Sequence, residues 1–257
     1  MEETPILSRN YHYNMTKNNQ IINKIKGRSK KYSSNVAKIT EFTKNEVVSI
    51  QKAVEVLYTL EHPSFKNGSS VELHVKLNIN PTKSDQFVRG NLVLPHGTGK
   101  KLIIAAFVTD GNIELAKKAG ATIVGSDELI EEIKSSGKIN FDIAIAEQEM
   151  MKKLPSIARL LGTAGVMPNP KTGTVGDNIE EMITLIKKGK VDFKNDKSGN
   201  IHILCGKINN DFTIEKIVEN VTAAFESVEK SKPEAVKKKF VVSAHLACSM
   251  SPSVKIA

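Results

Sequence analysis

Few residues of this sequence have types and spacing that could do chemistry. His202-Ile203-Leu204-Cys205 and His245-Leu246-Ala247-Cys248 are two His-x-x-Cys pairs, a spacing seen in zinc sites. Both fall in runs that read as strands, where residues three apart point to opposite faces, so neither pair converges on one ion and no metal site is expected. Gly97-Thr98-Gly99-Lys100 has the glycines of a phosphate-cradling loop. Such a loop follows a strand, opens a helix and carries Ser or Thr after its Lys, whereas Lys101 and an apolar run come next here. Thr109-Asp110-Gly111-Asn112, after that run, lacks the glycine-rich turn that seats a dinucleotide. The carboxylates stand singly or in surface pairs such as Glu131-Glu132, and no nucleophile and base can be paired. The expectation is a protein that is not an enzyme and has no cofactor. A Rossmann-type enzyme in the middle of the chain is the rival that a nucleotide-binding scan would expose.

Charge points elsewhere. The 257 residues carry a net charge of +9, which suits a polyanionic partner because cations that neutralise phosphates release counterions. The charge is unevenly spread: seven basic against two acidic residues in 1–31, net +1 in 32–94, zero in 95–168 and +3 in 169–257. If a polyanion binds, the flanks of the chain are its contact and the neutral middle has another task. Two cysteines are too few for a disulfide framework, and no run of about 18 apolar residues exists to span a membrane.

The elements that must position these residues alternate between two rhythms. Residues 1–31 show no sustained period and read as a flexible basic extension; Ser8-Arg9-Asn10-Tyr11 resembles a mitochondrial processing site, so a mitochondrial location is expected, with a bacterial cytoplasm or a plastid as the alternative. From Ser49, a possible cap, Ile50, Ala53, Val54, Leu57 and Tyr58 share one helical face, and the helix stops at His62-Pro63. Val71, Leu73, Val75 and Leu77 then alternate with Glu72, His74 and Lys76, the pattern of a half-buried strand. In the middle, apolar runs Leu102–Val108, Ala121–Val124 and Phe141–Ala146 alternate with helical stretches near Asn112–Ala119, Asp127–Ser135 and Gln148–Leu161, the rhythm of a parallel sheet under helices. Beyond Pro170 the first sheet is expected to resume: Val191–Phe193, the turn Asn195–Gly199, Ile201–Gly206, a helix over Thr213–Glu229, the strand Phe240–Cys248 and the turn Ser249–Ser253. The fold class is α/β in two domains. A discontinuous α+β domain with a split β-α-β sheet comes from 32–94 and 169–257, and an inserted Rossmann-like three-layer α/β domain from 95–168. Leu94-Pro95-His96 and Met167-Pro168-Asn169-Pro170 are the candidate hinges.

Three segments, LNINPTKSDQFVRGNLVLPHG (77–97), ARLLGTAGVMPNPKTGTVGDN (158–178) and KVDFKNDKSGNIHILCGK (190–207), resemble in order the signatures of the bacterial-type large-subunit ribosomal protein one family. The likeness runs from about Lys31 to Ala257. It implies a structural constituent of the large ribosomal subunit, monomeric within the ribosome. Its discontinuous domain would hold the rRNA stalk, and its inserted domain, joined by a two-stranded hinge, would assist release of deacylated exit-site tRNA. Members of the family also bind their own mRNA, so translational repression is the alternative function. The RNA contacts it implies fall on Phe65, Ser70, Ser243, Ser249, Met250 and Ser251, with Lys197 of the turn added. Hydroxyls and amides at a strand end reach ribose and phosphate, while Phe65 and Met250 would pack on sugar or base faces unless they are core. Three departures stand out: Ser64 where the family commonly has Lys, Thr163-Ala164 in place of Pro-Arg, and Ser251 in place of Gly, where a Cβ narrows the backbone.

Overall fold

The computed structural model describes residues 29–257 apart from Asn45, Asn67, Lys101, Asn210 and Asp211. The Ser8–Tyr11 motif and most of the basic extension lie outside the described residues.

The first described helix begins within the segment expected to be an extension. Helix α1 runs Lys30–Thr43, so Lys30 and Lys31 are already helical, and the Ser29 hydroxyl caps it by accepting the Tyr32 amide at 3.2 Å. Its inward residues Asn35, Ile39 and Thr43 recur every four positions. Asn35 fixes it by bonding both the amide and the carbonyl of Glu61, at 2.9 and 3.0 Å. Helix α2 (Ile50–Thr59) starts on the Ser49 cap and buries Ala53, Val54 and Leu57, as the sequence implies, although it ends three residues before His62.

Strand β1 (Ser69–Leu77) follows the expected alternation, with Val71, Leu73, Val75 and Leu77 buried. After β2 (Arg89–Val93) come β3 (Ile104–Phe107), α3 (Ile113–Ala119), β4 (Ile123–Gly125), α4 (Asp127–Ser136) and β5 (Ile143–Ala146). These three strands form a parallel sheet in the order β4-β3-β5. Both faces of β3 are covered: Ile104 and Ala106 meet one apolar cluster, Ala105 and Phe107 another. That explains its unbroken apolar run.

The helix expected over Gln148–Leu161 is broken into two short 3-10 turns, Met150–Lys152 and Leu154–Ile157, before α5 (Ala158–Ala164). Pro155 is the cause, because it has no amide to donate to the Met151 carbonyl and its ring crowds that carbonyl. Nor does the chain return to the first sheet after Pro170. Val175 bridges Ala146 in parallel, and α6 (Ile179–Lys187) buries Ile179, Ile183 and Ile186 against Ile104, Ala106 and Ile145 of the parallel sheet. The second crossing therefore lies at Lys188–Lys190, not at Met167–Pro170. There the Leu94 amide bonds the Gly189 carbonyl at 3.1 Å.

Strand β6 (Lys190–Lys194) pairs only with β2, as an antiparallel ribbon from Arg89↔Lys194 to Val93↔Lys190. Strand β7 (Asn200–Ile208), α7 (Ile214–Lys230), β8 (Val241–Cys248) and the unforeseen β9 (Val254–Lys255) complete a four-stranded antiparallel sheet, β7-β1-β8-β9. Helices α2 and α7 cover one face of it through Leu57, Ile217, Val221 and Ala224. Among the described residues, three sheets and seven α-helices make a mixed α/β fold.

Candidate nucleic-acid interface

The face of the four-stranded sheet turned away from α2 and α7 collects residues that the sequence scatters over nearly 190 positions. Because side chains alternate, every second residue of each strand stands on it, and antiparallel register lines these residues up in rows across the strands. Lys207, Ser70 and Ser249 form the first row, and Leu204, Glu72 and Ala247 the second. His202, His74, His245 and Lys255 form the third, and Asn200, Lys76 and Ser243 the fourth.

The first row is held by backbone. The Ser70 amide donates to the Ser249 hydroxyl at 3.1 Å and the Ser249 amide donates to the Ser70 carbonyl at 3.0 Å. Met250 follows at φ 58°, in the left-handed region, and is 78 % exposed. Such a backbone costs an L-residue roughly 1–2 kcal/mol. Ser251 stabilises this tight bend: its hydroxyl accepts the Cys248 amide at 2.9 Å and donates to the Cys248 carbonyl at 3.0 Å. The left-handed position is thus 250, and the Cβ of Ser251 sits on ordinary backbone. Phe65, on the loop entering β1, is 49 % exposed. Neither Phe65 nor Met250 is core, so the packing alternative raised for them does not hold.

The expected residues do not form one cluster. Phe65, Ser70, Ser249, Met250 and Ser251 gather at one end of β1, whereas Ser243 faces Lys76 near the other. Six residue steps of strand, roughly 20 Å, separate Ser70 from Lys76. Lys197 belongs to that far end, on the Asn195–Gly199 turn, where the Leu77 amide bonds the Gly199 carbonyl at 2.9 Å and Lys76 donates to the Ser198 carbonyl. The turn is shaped by Asp196, whose carboxylate accepts the amides of Asn200 and Ser198 at 2.7 and 2.8 Å. Those bonds, the Asn200 amide foremost, hold it below the usual carboxylate range. Exposed Lys237, Lys238 and Lys239 precede Phe240, whose carbonyl takes the Asn78 amide at 2.8 Å, so a second basic segment borders the same end.

Between the two ends stand residues that sequence reasoning passed over. By sequence, His74 marks only the wet side of a strand, and His202 and His245 only parts of His-x-x-Cys. Cys205 and Cys248 do point into the core, opposite their histidines, where burial pushes both thiols up to about 12. The signal that joins the three histidines is strand register, which no single segment displays.

The arrangement defines a class: an α-backed antiparallel sheet that offers a broad polar face edged with lysine. Residues 59–252 match the family model described as "Ribosomal protein L1p/L10e family", and the chain belongs to that family. It is 44 % identical over 229 residues to "Large ribosomal subunit protein uL1" of Kosmotoga olearia, covering 89 % of this chain and 96 % of that one. It is also 45 % identical to "Large ribosomal subunit protein uL1c" of Phaeodactylum tricornutum, over 84 % of this chain and 92 % of the relative. The protein of the same name from Trieres chinensis is 42 % identical, over 83 % and 91 %.

Proposed function

We propose that this protein is a structural constituent of the large ribosomal subunit. In this reading the open face of the antiparallel sheet grips the rRNA stalk, and the parallel-sheet unit beyond the β2–β6 ribbon assists release of deacylated tRNA. Family membership and the names of the relatives support the ribosomal role. The observation that carries the choice of surface is the Ser249-Met250-Ser251 bend. Its hydroxyls are tied to backbone while the Met250 side chain is turned out to solvent, a costly arrangement for a residue without a partner.

The two-domain reading is kept with an altered boundary. We place the insertion over 95–189, since α6 packs with the parallel sheet, and the RNA-gripping domain over 29–94 and 190–257. No reaction is assigned to either. A bacterial-type or plastid ribosome is the location the relatives' names favour; the mitochondrial alternative rests on Ser8–Tyr11 alone. Repression of the protein's own mRNA would use the same sheet face.

The test measures affinity for a hairpin RNA of the large-subunit stalk together with thermal stability. Met250→Asp places a carboxylate beside phosphates and should lower affinity at least ten-fold, about 1.4 kcal/mol, with the melting temperature unchanged. Normal binding by a stable variant would remove this bend from the interface.

A further inference from the structure

His202, His74 and His245 occupy one row across three strands, in register His74↔His202 and His74↔His245. Nδ1 of His74 lies 2.7 Å from Nδ1 of His202, with the rings at 66° to each other. A contact that short needs one N–H and one lone pair, so the touching pair cannot carry two full positive charges. A shared metal ion is not the explanation, because two imidazoles on one tetrahedral zinc stand about 3.3 Å apart at the nitrogens. The outer nitrogens look toward carboxylates at a looser distance: Nε2 of His74 is 3.7 Å from Glu72 and Nε2 of His202 is 3.7 Å from Asp196. His245 differs. Its neighbour across the strand on the other side is Lys255, and no carboxylate pairs with it among the described residues.

Building on the functional reading above, we propose that this row is a phosphate-binding site for the RNA backbone, centred on His245, Lys255 and His74, and that it takes up a proton when RNA binds. The groups facing it are Glu72 and Lys76 on β1, Asp196 and Lys197 on the β6–β7 turn, Lys207 on β7 and Lys255 on β9. Cations outnumber carboxylates, yet two carboxylates sit beside His74 and His202 and only Lys255 beside His245. An arriving phosphate therefore finds least competition at the His245 end. In the free protein, burial lowers the affinity of His74 for protons, the adjacent His202 lowers it further, and burial followed by Lys255 does the same at His245. A phosphate acts in the opposite direction, since negative charge within hydrogen-bonding reach favours imidazolium. Proton uptake on binding means that affinity rises as pH falls. The row also spans the gap between the Ser70–Ser249 end and the lysine end, so it makes one continuous track of two separate patches.

The experiment titrates full-length protein with a stalk hairpin RNA between pH 8 and pH 6 at constant ionic strength, beside the variant carrying His74→Gln, His202→Gln and His245→Gln. Glutamine keeps polarity and approximate size but cannot take a proton. Wild-type affinity should rise roughly three- to ten-fold over this interval, approaching ten-fold per pH unit where one full proton is taken up. Calorimetry in two buffers of different ionisation enthalpy should show that proton entering on binding. The triple variant should bind more weakly than wild type, show a flat profile, and fall further behind as pH falls from 8 to 6. A flat wild-type profile, or a triple variant that keeps the slope, overturns the histidine row while leaving the larger reading intact. Absence of stalk-RNA binding at every pH overturns the larger reading and the row together.

Discussion

Ser70 and Ser249 bind each other twice, amide to hydroxyl and amide to carbonyl, and so fasten the start of β1 to the end of β8 at the point where the chain turns through Met250. Ser249→Ala leaves the Ser70 amide without its acceptor, a loss of about 1 kcal/mol. Stalk-RNA affinity should fall by more than that, because the bend it positions is the proposed contact. Chemical denaturation and equilibrium binding on one preparation would compare the two, and equal losses would count against the contact.

Met250→Gly separates strain from contact. Glycine adopts φ 58° without a Cβ penalty, so the variant should be more stable by up to about 1 kcal/mol. The same change removes the exposed side chain, so RNA affinity should drop. A variant that gained stability and kept full affinity would show that the backbone of the bend, not the thioether, meets RNA.

The lysines at the ends of the sheet predict a steep salt response. Log affinity should fall linearly with log salt, by an amount per phosphate neutralised close to the roughly 0.9 of duplex DNA. Lys197→Gln together with Lys76→Gln should reduce the slope by about two contacts. An unchanged slope would place the backbone elsewhere.

Acid should weaken the free protein before it weakens the complex. His62, His74 and His245 are all held below the ordinary imidazole value, chiefly by burial. The unfolded chain therefore takes up protons first, and stability present above about pH 6.5 is lost as pH falls through the lower folded values. Asp142, held down by Lys100, and Asp196 belong to a separate window below the usual carboxylate range. Melting curves at pH 7.5 and pH 5.5 should show the decline, and bound RNA should reduce it.

Joining residues 29–94 to 190–257 through a short linker should preserve stalk-RNA binding, since both pieces share one core and the lysines and histidines of the open face lie within them. A fusion ending the insertion at 168 instead retains α6, which would expose Ile183 and Ile186 without their sheet. The two fusions, compared for solubility and binding, test where the boundary lies.

Where apolar residues repeat with one period, the sequence reading meets the structure closely: α2 and β1 bury the faces their spacing implies. Helix α1 escaped because two of its three buried residues, Asn35 and Thr43, are polar and find hydrogen bonds instead of apolar neighbours. The return of the chain was misplaced because prolines 168 and 170 look like a junction, whereas the real crossing is marked by a backbone bond between Leu94 and Gly189. Likeness to a family names the proposed contact residues one by one, but not their division between the two ends of the sheet. That division depends on which residue of β8 faces which of β1, information that exists only once the sheet has formed.

The crossing itself has a mutational consequence. A β-carbon at Gly189 would stand 2.3 Å from the α-carbon of Gly97, closer than any two such atoms can rest. Two strands of chain pass each other there with less room than a methyl group occupies. Any side chain at 189 would act as a wedge, forcing the backbone at Gly189 and the backbone at Gly97 apart. Substitution at this glycine is thus a way to part these two segments without changing any residue of the open sheet face.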